Sequence, residues 1–453
     1  MEPLLILINP WIYDFAAYDL WSKPLGLLYL ASYLRRCGFR IRLLDCLDVH
    51  HPAMIPDARR KRPVRRDYGT GKFWRETVPR PAALEHIPRS YSRYGVSREA
   101  FIRDLSRIPR PDAILITSLM TYWYPGVREA AALARELHPE VPVILGGIYA
   151  ALCPNHARQA TGADRILQEA GLSALASVLE ILDQCGLDPP ERPDPSTISL
   201  FPAFDLLTGI DYVSLLTSSG CPYRCRYCAS HLLNPRPLRR DPLDVFEEIL
   251  FWHGKYGVRD FAFYDDALLI DWQRQLGPLL ETVIDRGPHV RFHTPNALHV
   301  REIDRELAGL LYRSGFRTVR LGLETSDMDL HRDLDGKVAE GEFEGAAGSL
   351  LAAGFSSRDI GAYILAGLPG QSPDSVMDTI RFAASVGASP YLAEYSPIPH
   401  TALWEKARDH SAYDLLAEPL FHNNTLYPCW DEGQRARIPE LKREVREARR
   451  AWN

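Results

Sequence analysis

Three thiols stand within eight residues in Cys221-Pro-Tyr-Arg-Cys225-Arg-Tyr-Cys228, and the next cysteine in the chain is Cys429. A structural zinc site closes with four protein ligands, so this loop would need a histidine to complete one, with His231 the nearest. A [4Fe–4S] cube held by three thiolates instead leaves one iron without a protein ligand. That open iron is a place where a small molecule can coordinate and receive an electron. A disulfide reading fails, because three clustered thiols cannot pair among themselves. The zinc alternative stays open at this point.

The elements around the loop must aim it. Tyr212-Val-Ser-Leu-Leu-Thr-Ser-Ser-Gly220 predicts a strand running directly into the cysteines. Five more apolar strands are predicted over 260–266, 290–296, 318–324, 361–367 and 391–397. Helical spacing at 243–256, 272–286, 301–313, 339–353 and 374–386 separates them. Six strand–helix repeats over 211–400 predict a partial (β/α)6 TIM-type barrel with its site at the carboxyl ends of the strands. Asp265, Asp266, Asn296, Glu324 and Gly367 each close one of these strands. A buried carboxylate or amide needs a partner, so core packing explains such endings poorly. Together they suit a ligand carrying an amine, a ribose and a purine.

Residues 1–185 repeat the alternation of strand and helix. Strands are predicted at 4–10, 40–46, 113–119, 141–147 and 164–167, with helices over 24–34, 126–138 and 171–184. This predicts a doubly wound parallel α/β sheet, which binds ligands beyond the carboxyl ends of its strands. Asn9, Thr117, Ser118, Gly146 and Gly147 fall there, and the glycine pair admits a flat or phosphorylated ligand close to the backbone. No Gly-x-Gly-x-x-Gly follows the first strand, which counts against a dinucleotide. An irregular insertion over about 50–112 is basic at Arg59, Arg60, Lys61, Arg62, Arg65 and Arg66, then aromatic at Tyr68, Phe73, Trp74, Tyr91 and Tyr94. It reads either as a partly ordered, solvated excursion or as a lid offering arginines to an anionic substrate and rings to a flat one. Residues 186–210 are rich in proline and predict a semi-rigid linker between two domains. Residues 401–453 form a C-terminal extension that ends as a charged helix and contains Cys429, a buried thiol on this reading.

Composition narrows the class. The chain has 453 residues, enough for two or three domains, and 46% hydrophobic with 25% charged residues is ordinary globular content. A net charge of −5 argues against nucleic acid, and no apolar run reaches the ~20 residues of a membrane span. The start of the chain lacks the basic flank and cleavage site of a signal peptide, and eight cysteines without such a signal imply reduced thiols and a cytoplasmic location.

The three-cysteine spacing, with Tyr227 before the last thiol, resembles the signature of the radical S-adenosylmethionine (SAM) superfamily. Gly322-Leu-Glu324-Thr-Ser and Ala366-Gly-Leu-Pro-Gly370 are similar to later strands of the same superfamily. The resemblance implies a [4Fe–4S] cluster on Cys221, Cys225 and Cys228, with SAM on the open iron. It implies that Tyr227, Asp265, Asp266, Asn296, Glu324 and Gly367 surround SAM. One electron from the cluster then releases a 5′-deoxyadenosyl radical, which implies a low-potential electron donor protein as partner. The order of elements over 1–185 resembles the cobalamin (B12)-binding domain found before many such barrels, which implies cobalamin near Asn9, Thr117, Ser118, Gly146 and Gly147. The Asp-x-His-x-x-Gly motif of some cobalamin domains is missing; Asp48-Val-His50-His-Pro-Ala53 follows the second strand and is read as chance.

Three functions follow. The first is hydrogen abstraction from an unactivated carbon of a small-molecule substrate, with cobalamin-dependent methyl transfer. The second keeps the radical chemistry but makes the first domain a cofactor-free cap, giving rearrangement, cyclisation or oxidation. The third is a zinc-knuckle protein that binds or modifies nucleic acid, against which the acidic charge counts.

Overall fold

Six consecutive buried residues, Leu4–Asn9, form the first strand, β1, in a computed structural model that describes residues 2–54, 62–170, 174–195, 198–235 and 237–452. A strand with no polar face belongs inside a sheet covered on both sides. It pairs in parallel on both edges, with β3 (Arg40–Asp45) and β6 (Ala113–Ile116). The sheet continues in parallel through β7 (Val143–Leu145) to β8 (Arg165–Ile166). Along it the order is β3-β1-β6-β7-β8, so the direction of winding reverses between β1 and β6. Asn9, Thr117 and Ser118 lie at the carboxyl ends of those two strands, where doubly wound sheets take their ligands. Contacts divide the chain into two compact units, Met1–Asp211 and Tyr212–Asn453.

The insertion is more regular than its sequence suggests. The strands β2 (Ile12–Asp14), β4 (Arg75–Thr77) and β5 (Ser92–Tyr94) make a small antiparallel sheet in the order β2-β5-β4. Arg98–Arg107 is a helix capped by the Ser97 side chain. Phe73, Trp74, Tyr91 and Tyr94 are each at most 6% exposed, so these rings are core and not the face of a lid. Burying each contributes roughly 1.5–3 kcal/mol, which explains how a segment without clear periodicity acquires a fixed structure. Arg65 is committed to Asp19 at 2.7 Å, while Arg59, Arg60 and Lys61 lie outside the described residues.

The proline-rich stretch also departs from a free linker. Tyr33 donates to the Pro193 carbonyl at 2.9 Å, Ser32 to that of Phe201 at 2.5 Å, and the Ala203 amide to that of Leu28 at 3.0 Å. A Cβ at Gly38, whose φ is +89°, would come within 2.8 Å of Pro190. The stretch is therefore strapped along the helix Leu25–Arg36, and the unit boundary falls after Asp211.

In the second unit, β9 (Val213–Leu215) is followed by β10 (Ser218–Ser219) and β11 (Leu238–Arg239), which pair with each other. Then come β12 (Asp260–Phe263), β13 (Arg291–His293), β14 (Phe316–Glu324), β15 (Ile360–Ala366) and β16 (Ser389–Glu394). The six main strands run in the sequential parallel order β16-β15-β14-β13-β12-β9, a partial (β/α)6 barrel. Helices Pro242–Tyr256, Leu276–Arg286, Arg305–Arg313, Glu342–Ala353 and Pro373–Ser385 connect them. Most residues of these strands are apolar and buried, and the polar Asp260, His293 and Arg320 are buried among them.

Candidate active site

The cysteine loop is hung from both ends. Ser218 and Ser219 before it pair antiparallel with Arg239 and Leu238 after it. Asp265, 2% exposed, accepts from the Thr217 amide at 3.0 Å and hydroxyl at 2.7 Å, and from the Ser218 amide at 2.6 Å and hydroxyl at 2.7 Å. Asp266 accepts at 3.2 Å from the Gly220 amide on the entry side and from the Asn234 side chain on the exit side. Asn296 donates to the carbonyls of Tyr264 and Asp265 at 2.9 and 3.1 Å, holding the two carboxylates in place. The side chains of Asp265, Asp266 and Asn296 thus engage the protein itself, and what they position is the loop.

Inside the loop, Arg226 is fixed through its backbone: its amide donates to the Leu334 carbonyl at 3.0 Å and its carbonyl accepts from the Leu403 amide at 2.9 Å. Tyr227 packs against an apolar cluster formed by Leu365, Leu368, Tyr395, Trp404 and Cys429, so the C-terminal extension backs the loop. The hydroxyl of Tyr227 donates to Asp335 at 3.0 Å and receives the Lys337 ammonium at 3.4 Å. Lys337 also lies 3.4 Å from Asp335, whose other oxygen is 3.0 Å from His331 Nδ1. Glu324, at the end of β14 with a φ of +60° and just past a register shift, lines the same small cleft as His331, Asp335 and Lys337. Gly367 closes β15 at a φ of +100° and a Cβ there would meet Tyr427 at 3.0 Å.

Electrostatics follow from burial and neighbours. Burial pushes Cys225 up to about 12, and raises Cys221 and Cys228 as well. Burial also raises Glu324, against the pull of Lys337. Asp335 is held at about 2: burial opposes its ionisation, but the hydrogen bond from His331 and the charge of Lys337 outweigh it. Burial works against the Lys337 ammonium, and the charges of Glu324 and Asp335 more than offset it, so its pKa lies above the ordinary value.

Three unpaired thiols on one loop are a donor set that fits a [4Fe–4S] cube. Among the described residues, no three His, Cys, Asp or Glu side chains converge as one metal ion requires. A [4Fe–4S] cube takes one thiolate per iron, and so asks for sulfurs spread around a volume. Burial that disfavours bare thiolates is what bound iron would overcome. The Cys228 sulfur already accepts from the Ser230 amide at 3.4 Å, the kind of contact that surrounds cluster ligands.

In the first unit, Thr117, Gly146 and Gly147 border a small, mainly apolar cleft, open to solvent, with Gly26, Leu30, Leu167 and Leu175 among its walls. A flat or apolar ligand group suits such walls. Asn9 and Ser118 are turned inward: Asn9 donates to Asp45 at 2.7 Å, and Ser118 donates to the Gly146 carbonyl at 2.7 Å. Gly147 has a φ of +94°, and a Cβ on it would sit 2.2 Å from the Ser118 carbonyl oxygen. The His50 ring is paired with Asp211 at 2.8 Å.

Residues 215–383 match the family model of the radical SAM superfamily, and residues 90–179 match that of the B12-binding domain. The chain is a radical SAM enzyme with a B12-binding-type domain. This radical SAM enzyme is similar to an uncharacterised methyltransferase of Pyrococcus horikoshii, at 23% identity over 69% of this chain and 73% of the relative. It is similar to the cytidylyl-2-hydroxyethylphosphonate methyltransferase of Streptomyces wedmorensis at 21% identity, over 69% of this chain and 63% of that protein. Its fold is shared with the radical SAM methyltransferase TsrM of Kitasatospora setae, solved with cobalamin and a [4Fe–4S] cluster bound, at a TM-score of 0.66 and 15% identity over 99% of this chain and 91% of that one. The cobalamin-dependent radical SAM enzyme OxsB gives a TM-score of 0.58 at 12% identity, over 98% of this chain and 56% of that one.

Reading the radical SAM enzyme from its sequence alone misses His331, Asp335 and Lys337. They sit on the short helix Met328–Leu334 and the turn after it, where no periodicity marks them. A charge-dense Asp335-Gly-Lys337 turn eleven residues beyond a strand-ending glutamate is the one signal available. His299, stacked on Tyr223 of the loop at 4.8 Å between ring centres, is missed for the same reason.

Proposed function

We propose that this radical SAM enzyme is a cobalamin-dependent methyltransferase acting on an unactivated carbon of a small-molecule substrate. When bound, the cluster and SAM would supply a 5′-deoxyadenosyl radical for hydrogen abstraction, and the corrinoid a methyl group. Cys221, Cys225 and Cys228 bind the cluster. Asp265, Asp266 and Asn296 orient the loop that carries them. Tyr227, Glu324 and Gly367 line the side on which SAM binds, with the buried Glu324 carboxylate available to an amine or hydroxyl donor. Thr117, Gly146 and Gly147 border the corrinoid's cleft, and Asn9 and Ser118 brace the strand ends beside it through Asp45 and the Gly146 carbonyl.

The observation that carries this reading is the suspension of three clustered thiols, one buried and two half-buried, between two carboxylates that close the same barrel strand. The methyltransferase names of the relatives, and the B12-binding match in the same chain, support the choice of methyl transfer. Radical formation calls for a low-potential electron donor protein. All eight cysteines are unpaired, which supports a reducing, cytoplasmic setting for an oxygen-sensitive cluster. No helix among the described residues is long and apolar enough to cross a membrane.

A second reading, with the first unit as a cofactor-free cap, draws on the inward-turned side chains of Asn9 and Ser118. Anaerobic purification, reconstitution, and iron, zinc and cobalt analysis with added hydroxocobalamin separate the two. Iron with a bound corrinoid, and transfer of label from methyl-labelled SAM, support methyl transfer. Iron and 5′-deoxyadenosine without corrinoid select the cap, and stoichiometric zinc without iron overturns both.

A further inference from the structure

The geometry points to Lys337 as the residue that tunes the reduction potential of the iron–sulfur site, by holding a half-buried positive charge against the cysteine loop. The inference rests on the reading of Cys221, Cys225 and Cys228 as cluster ligands.

Lys337 is 16% exposed, and its ammonium lies 3.4 Å from the Tyr227 hydroxyl and 5.8 Å from the centre of that ring. Tyr227 stands between two of the three ligand cysteines, so the charge sits against the loop itself. Lys337 lines a small cleft with Glu324, Asp335 and His299, and the His299 ring stacks on Tyr223 between the first two of those cysteines. The turn that presents it is fixed: Gly336 has a φ of +61°, and the Lys337 amide donates to Asp335 at 3.0 Å.

A purely structural ion pair would need only Asp335. Here a second carboxylate, the buried Glu324, lines the same cleft as the ammonium, so one cation stands with two anions beside the three cysteines. The potential of such a cluster depends on its net charge, the hydrogen bonds to its sulfurs and its exposure. One-electron reduction adds one negative charge, and a nearby cation in a site of low dielectric stabilises that product over the oxidised form. Lys337 therefore makes the site easier to reduce, and Asp335 and Glu324 make it harder.

The test uses the full chain, reconstituted anaerobically without SAM and titrated with dithionite against redox mediators, with the reduced cluster followed by electron paramagnetic resonance. Lys337→Met should shift the midpoint to a more negative potential, and Lys337→Arg should leave it near the wild-type value. Asp335→Asn should shift it the other way; if Lys337→Met fails to load iron, the sign of this shift decides. Superimposable titrations of wild type, Lys337→Met and Asp335→Asn overturn the inference. Weaker SAM binding by Lys337→Met at an unmoved midpoint also overturns it, by assigning the lysine to SAM. A wild-type protein that takes up no iron fails the cluster reading first, a different result from a cluster whose potential ignores Lys337.

Discussion

The Asp265 carboxylate takes both the backbone amide of Thr217, at 3.0 Å, and its hydroxyl, at 2.7 Å, just before the chain enters the cysteine loop. Two further donors from Ser218 complete its shell. Hydrogen bonds to a charged acceptor contribute roughly 1.5–3 kcal/mol each, and buried donors left without one cost a similar amount. Asp265→Ala should lower the stability of the second unit by roughly 2–4 kcal/mol and cut iron loading severely, read by denaturant unfolding and iron analysis. Full loading in a destabilised protein would separate Asp265 from the loop.

Cys225 is the most buried of the three clustered thiols. Cys225→Ala should abolish cluster uptake and 5′-deoxyadenosine formation while circular dichroism stays near wild type. Retained 5′-deoxyadenosine would contradict the ligand assignment.

Cys429 packs behind Tyr227, and its thiol donates only a long contact, 3.6 Å, to the Ala407 carbonyl. Burial pushes it up to about 12, as for a thiol that stays protonated. Cys429→Ala should load iron like wild type and lose about 1 kcal/mol of stability from the lost packing. Loss of iron in this variant would make Cys429 a ligand.

Gly147 combines a φ of +94° with a Cβ position 2.2 Å from the Ser118 carbonyl oxygen, and backbone cannot move aside as a flexible side chain can. Gly147→Ala should destabilise the first unit by roughly 1–3 kcal/mol and weaken hydroxocobalamin binding more than it weakens iron loading. Equal loss of both would show a global effect.

His293 sits fully buried inside the barrel, 3.0 Å from Asp260 and 3.1 Å from the Thr318 hydroxyl. Burial lowers its pKa, outweighing the Asp260 charge. Unfolded, the imidazole titrates near ~6.5, so below that pH the unfolded chain binds more protons and stability falls as pH drops. Asp260 is itself lowered by His293 and Arg291 despite burial, and its contribution, present above the unfolded carboxylate value, is lost at still lower pH, in the same direction. Stability measured from pH 7 to 5 should fall more steeply for wild type than for His293→Gln. Parallel curves would refute the buried neutral imidazole.

The amino-acid sequence by itself determined the candidate cluster ligands and the order of elements. Three cysteines in eight residues constrain their chemistry locally, and apolar runs such as those of Leu4–Asn9 and Ala113–Ile116 declare strands buried in a parallel sheet. What only the tertiary structure decided was where each polar strand end points. Asp265, Asp266 and Glu324 look alike in one dimension, yet two brace the loop and one faces Lys337, because side-chain direction depends on register and on which segment crosses the strand end. The rings of Phe73, Trp74, Tyr91 and Tyr94 became core for a related reason: their partners are tens of residues away, and no local pattern records a non-local contact.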